Sequence, residues 1–175
     1  NISNTNNNAI DVDGSPSSSV NVNNSVFYNV DTSSIAVDLS YNLNSENEAN
    51  VNNVTIDRTG SGINLAGSGT RTTLTVQDVA INDTENNRAI EIDDANANDV
   101  TIQDVSATNL SFGSDVNGLV IDDLSGRSDT TFAFDNVTVE GIKTNAGSHA
   151  GHAIKFEDPA ASLDLTLSNF DVRYM

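Results

Sequence analysis

The sequence predicts an all-β chain, a parallel β-helix (β-solenoid) of about six coils. Three observations predict it: a recurring motif of alternating apolar and polar residues, an Asn or Asp at a fixed place in that motif, and a third alternating segment between motifs. Alternation with period two is the signature of strands that bury one face.

The motif is complete first in Val51-Asn52-Asn53-Val54-Thr55-Ile56. It returns at Leu74–Ile81, Val100–Ala107, Phe132–Val139 and Leu165–Val172. Val20–Asn24 matches its first half, and Asn1–Ser3 is taken as the second half of one more. The anchors are Asn1, Asn24, Asn53, Asp78, Asp104, Asn136 and Asn169, at intervals of 23, 29, 25, 26, 32 and 33 residues. A repeat of this length with variable insertions is solenoid behaviour.

The third segment begins at Ile10, Ile35, Ile63, Ile90, Leu119 and Ile154, with a second apolar residue at Val12, Val37, Leu65, Ile92, Ile121 and Phe156. Each repeat thus holds three short strands rich in β-branched residues, which suit a pleated surface. Stacked strands lie ~4.8 Å apart, so six coils span roughly 30 Å. Each anchor turns the chain sharply, because Asn and Asp tolerate the left-handed region. Stacked anchor side chains can also form an amide ladder.

The strand triplet with its Asn turn resembles the parallel β-helix repeats of the pectate lyase-like superfamily, along nearly the whole chain. That resemblance implies a right-handed helix whose Asn turn joins the second and third strands. It also implies a possible enzymatic origin: lyases of this superfamily hold calcium on acidic residues of the first-strand face and abstract a proton with a nearby Arg or Lys. Lys155, on that face beside Val120 and near Glu91, and Arg88, which precedes Ile90, are the counterparts here, without a clear catalytic motif around either.

Composition narrows the function. The chain has 175 residues, 7 Lys and Arg against 25 Asp and Glu, and a net charge of −18. Such a surface repels nucleic acid and anionic membranes. Hydrophobic residues are 37%, aromatics 5%, and Cys is absent, so the core is narrow and free of disulfides. No apolar run approaches the ~18 residues of a membrane span.

The acidic residues gather on the first-strand face. The outward positions are expected at Asp13, Asp38, Ala66, Asp93, Asp122 and Glu157, with Asp94, Asp123 and Asp158 next to three of them and Asp11 and Glu91 on the same face. One reading is a solvated face that keeps the rod soluble. Another is calcium bridging between coils by Asp13, Asp38, Asp93, Asp94, Asp122, Asp123, Glu157 and Asp158, since hard cations take carboxylate oxygens. The loop from third to first strand lengthens toward the C-terminus and ends with His149 and His152 near Lys143, a pair without a convincing third metal ligand. The second-strand face is polar and uncharged, with Asn21, Asn50, Thr75, Thr101, Ala133 and Thr166 in one outward column, a surface for glycan contact. Asn-x-Ser/Thr sequons occur at Asn53, Asn82, Asn109 and Asn136, but Asn53 and Asn136 are needed at turns.

The leading expectation is a non-enzymatic structural or adhesive β-solenoid at a bacterial surface or outside the cell. Its partners are flanking repeats of the same chain or other copies stacked end to end. The whole chain, residues 1–175, is read as one segment, cut from a longer solenoid or stacking as a subunit. The alternative is a calcium-assisted lyase fragment acting on acidic polysaccharide.

Overall fold

The computed structural model describes residues 2–14, 19–31, 33–41, 47–66, 72–84, 88–93, 97–110, 117–122, 130–141, 152–156 and 163–173. These residues form strands and no helix. In chain order the strands are β1 (Ile2–Thr5), β2 (Ile10–Gly14), β3 (Val20–Val30), β4 (Ile35–Tyr41), β5 (Asn47–Thr59), β6 (Ser61–Ala66), β7 (Thr72–Thr84), β8 (Arg88–Asp93), β9 (Ala97–Thr108), β10 (Asn117–Asp122), β11 (Thr130–Glu140), β12 (His152–Phe156) and β13 (Leu163–Arg173). They make two sheets, one of seven strands in the order β1-β3-β5-β7-β9-β11-β13 and one of six in the order β2-β4-β6-β8-β10-β12. Every pairing in both sheets is parallel. The chain therefore alternates between the sheets, and each strand pairs with the strand two places on.

The expected second and third strands of each repeat are one long strand, bent where the anchor sits. Asn24, Asn53, Asp78, Asp104, Asn136 and Asn169 all have φ between 50° and 53°. The ladder steps over these residues: Asn52 pairs with Gln77 and Val54 with Val79, while Asn53 lies between. The left-handed conformation that the anchors were expected to supply is present in all six.

The expected seventh anchor is corrected. Asn1 lies outside the described residues, and its neighbour Ile2 pairs with Phe27, three positions past Asn24. The motif in Asn1–Ser3 is thus out of phase with the rest.

A second left-handed column was not anticipated. Asn4, Asn29, Arg58, Asp83 and Asn109 have φ between 49° and 59°, and Gly141 has φ 79°. Each follows a first-column anchor by five residues, apart from Asn4. All positive-φ residues among those described belong to these two columns. The four residues between the corners, such as 54–57 and 79–82, make a short flat side. Gly141 relieves the steric cost at its corner, where an added Cβ would lie 3.2 Å from the Asn109 backbone.

The core lies between the sheets. Inward columns run Val22, Val51, Val76, Ile102 and Phe134 in the long strands, and Val37, Ile63, Ile90 and Leu119 in the short ones, all 5% exposed or less. Phe156 of β12 meets Phe132 and Phe134 of β11 edge-on, at centroid distances of 5.8 and 6.5 Å, so both sheets share this core.

Candidate functional site

The acidic face does not have the register that the sequence suggested. Ile10 pairs with Val37 and Val12 with Leu39, so β4 is shifted two residues from its expected alignment. Asp13 then lies beside Ser40, and Asp38 lies between Asp11 and Asn64. By backbone register Asp13, Ser40, Ala66, Asp93 and Asp122 form one column, acidic at both ends and not in the middle. The neighbouring column is Asp11, Asp38, Asn64, Glu91, Val120 and Lys155.

The reason for the shift is a column of small residues. Ala9, Ala36, Gly62, Ala89, Gly118 and Ala153 each precede the first inward residue of their strand. These positions point into a tight corner. A Cβ on Gly62 would stand 2.3 Å from the Ala89 carbonyl oxygen and 3.0 Å from Ile81 Cδ1; one on Gly118 would stand 2.7 Å from both the Ala153 carbonyl oxygen and Val139 Cγ1. Ile35 does not head the column because Ala36 must occupy this corner.

Several charged groups of this face are already held by the protein. Asp38 Oδ2 accepts from Asn8 Nδ2 and its Oδ1 from Asn64 Nδ2, both at 3.0 Å. Asn8 Oδ1 in turn accepts from the Ile35 amide at 2.9 Å. Asp38 thus ties its own repeat to the repeats on both sides. Arg88 pairs with Glu91, three residues along the same strand. Lys155 stands next to Val120 in the paired strands β12 and β10, and His152 opposite Asn117. Val120 is fully buried although it alternates with inward residues.

Asp93 and Asp122 are neighbours across β8 and β10, placed with Asp13 by their backbones. Asp94, Asp123, Glu157, Asp158, His149 and Lys143 lie outside the described residues. Among the described residues no three His, Asp or Glu side chains gather as a metal site.

The corner residues form short hydrogen-bonded ladders. In the first column Asn53 Nδ2 donates to Asn24 Oδ1 and Asn136 Nδ2 to Asp104 Oδ1, each at 2.7 Å. Asp78 and Asp104 are consecutive there, and two carboxylates offer no donor to one another. At the last step Asn169 Nδ2 donates to Asp135 Oδ1 at 3.1 Å, and the Ser168 hydroxyl donates to the same oxygen at 2.6 Å. Ser168 foremost, then Asn169, holds the Asp135 carboxyl below its usual value.

Beside the second column, Asn29 Nδ2 donates to Asn4 Oδ1 at 2.8 Å, Asn82 Nδ2 to Asp57 Oδ1 at 2.6 Å, and Asn109 Nδ2 to Asn82 Oδ1 at 2.8 Å. Arg58 is the exception at these corners; its guanidinium lies 4.4 Å over the Tyr28 ring. The amide nitrogens of the sequon residues Asn53, Asn82, Asn109 and Asn136 are therefore used inside the stack. The polar second-strand face has the expected register, with Asn50 Nδ2 donating to Asn21 Oδ1 at 3.0 Å.

Sequence reasoning missed the second corner column and the small-residue column. Both have a signal: Asn, Asp or Gly five residues after most anchors, and Ala or Gly before every first inward residue. Compared with known proteins, the chain matches no protein-family model, no curated protein and no solved structure.

Proposed function

We propose that the chain is a right-handed parallel β-helix of the pectate lyase-like type, serving as a non-enzymatic structural or adhesive rod at a bacterial surface or outside the cell. The observation that carries this reading is the pair of left-handed corner columns kept in phase from repeat to repeat. Two fixed corners in each repeat divide the long strand into two sides, and the short strand supplies a third. Parallel strands joined through a crossover take the right hand in about 98% of cases, which supports the hand.

The polar side chains of the faces favour a structural role over a chemical one. Asp38 is committed to two amides and Arg88 to Glu91. A rod built this way turns its polar residues into cross-links between layers and presents flat polar sides, with glycans as candidate ligands for the Asn and Thr face.

Incubation with polygalacturonate or alginate and calcium, followed by absorbance for unsaturated products, tests this. The rod reading gives no product and no effect of Lys155→Ala; product formation that Lys155→Ala removes would establish the lyase instead. Melting with calcium and then with chelator tests carboxylate bridging near Asp93 and Asp122. A melting temperature that rises and then falls reports calcium; an unchanged one means that the protein's own hydrogen bonds carry the stack.

A further inference from the structure

We propose that Asn117–Gly118 is a site of self-modification, closed while β10 is paired and reactive once β10 opens. The pair cyclises through its own backbone, and the product keeps the strand from returning. The inference depends on strand pairing alone and stands whether or not the chain is a surface rod.

Asn117–Gly118 is the single Asn–Gly pair in the sequence. The side-chain amide of Asn can be attacked by the backbone nitrogen of the next residue, and Gly, with no Cβ, obstructs that attack least. The fold explains why Gly stands there. Position 118 belongs to the column of small corner residues, and a Cβ on it would stand 2.7 Å from both the Ala153 carbonyl oxygen and Val139 Cγ1. Four strands of the small sheet meet this corner with Ala9, Ala36, Ala89 and Ala153, while β6 and β10 use Gly62 and Gly118. Ser61 precedes Gly62, so β10 alone carries the reactive pair.

The chemistry needs only water. The Gly118 nitrogen bonds to Asn117 Cγ, the Cγ–Nδ2 bond breaks, and ammonia leaves with the proton given up by the Gly118 amide. The succinimide then takes up one water. Opening at Cγ gives an aspartate; opening at the backbone carbonyl leaves the chain running through Cβ and Cγ, an isoaspartate. Either product exchanges a neutral amide for a carboxylate in a chain whose net charge is already −18.

The fold supplies the gate. Asn117 pairs with Arg88 on one side and His152 on the other, and Leu119 with Ile90 and Ile154. The Asn117–Gly118 peptide is thus held extended between two ladders. Ring closure requires it to turn its nitrogen toward the side chain at 117, which the ladders oppose. The rate then follows the fraction of time that β10 is open. Gly in a strand interior weakens the strand, which eases this opening. The isoaspartyl chain carries one more backbone atom ahead of Gly118. Leu119 and Ile121, each 1% exposed, then lose their places opposite Ile90 and Ile92.

The test holds the whole chain, folded and urea-unfolded, at mildly alkaline pH and follows the loss of ammonia and gain of water by mass spectrometry of its peptides. The unfolded chain is expected to convert at Asn117 before any other Asn. The folded chain should convert roughly tenfold more slowly or less, and urea below the unfolding midpoint should raise its rate. Asn117→Gln should remove the conversion in both states. After transfer out of urea, the isoaspartyl chain should fail to regain the circular dichroism of the untreated parent. Asn117→Asp, which carries the charge without the longer backbone, should regain it. Faster conversion at another Asn overturns the site. Equal rates in the folded and unfolded chains overturn the gate, and an isoaspartyl chain that refolds like the parent overturns the claim that the product bars return.

Discussion

A left-handed corner costs an ordinary L-residue roughly 1–2 kcal/mol, and Asn and Asp carry that cost most easily. At Asn53 the same side chain also bonds Asn24, a link of about 1 kcal/mol in net terms. Asn53→Ala loses both, and we expect a loss of about 1–2 kcal/mol in urea unfolding. Asp78 is the opposite case: it shares the corner conformation but adjoins Asp104 with no proton to donate. Asp78→Asn supplies a donor and removes a like charge, so its urea midpoint should rise, by about 0.5–1 kcal/mol of stability. Asp135 adds a pH dependence of definite sign. Its folded carboxyl titrates below the usual value because Ser168 and Asn169 donate to it. That stabilisation is complete above the ordinary carboxylate range and is lost as pH falls through the lower, folded value. The gap in urea midpoint between parent and Ser168→Ala should therefore close on acidification; a gap that stays constant or widens would contradict it.

At the scale of the strand, register is set by the narrowest corner and not by the most hydrophobic residue. Ile35 and Val37 match the general pattern as well as Val37 and Leu39 do, so alternation alone leaves β4 ambiguous by two residues. Ala36 resolves it, since only a small residue fits where the Gly62 Cβ would meet a carbonyl oxygen at 2.3 Å. Gly62→Ala and Gly118→Ala should each destabilise by about 1–3 kcal/mol, as overpacking against backbone does. Phe134→Ala opens a cavity where the two sheets meet and should cost about 3–5 kcal/mol. The strands and the first corner column were legible because alternation and left-handed tolerance are properties of single residues. The acidic face was less so, because it depends on alignment between strands: one two-residue slip at β4 moved Asp38 out of the expected calcium column. The second corner column was hidden by Arg58, whose left-handed conformation no propensity suggests.

At the scale of the molecule, the two sheets advance together: each repeat adds one long and one short strand to a common core. The proposed rod would gain length by repetition, while its polar rows change along it, as the column from Asp11 through Asp38, Asn64, Glu91 and Val120 to Lys155 does. Because the chain has no Cys, pairs of introduced cysteines can carry spin labels without background. Pulsed dipolar spectroscopy on two columns tests the stacking most directly. Labels at positions 21 and 101, 21 and 133, and 21 and 166 are three, four and five strands apart in the large sheet, and should give backbone separations of about 14, 19 and 24 Å. Labels at 11 and 91 and at 11 and 155, three and five strands apart in the small sheet, should rise in the same steps. Equal increments of ~4.8 Å per repeat on both faces are what the β-helix predicts. Distances that fail to grow with repeat number, or that grow differently on the two faces, would contradict it.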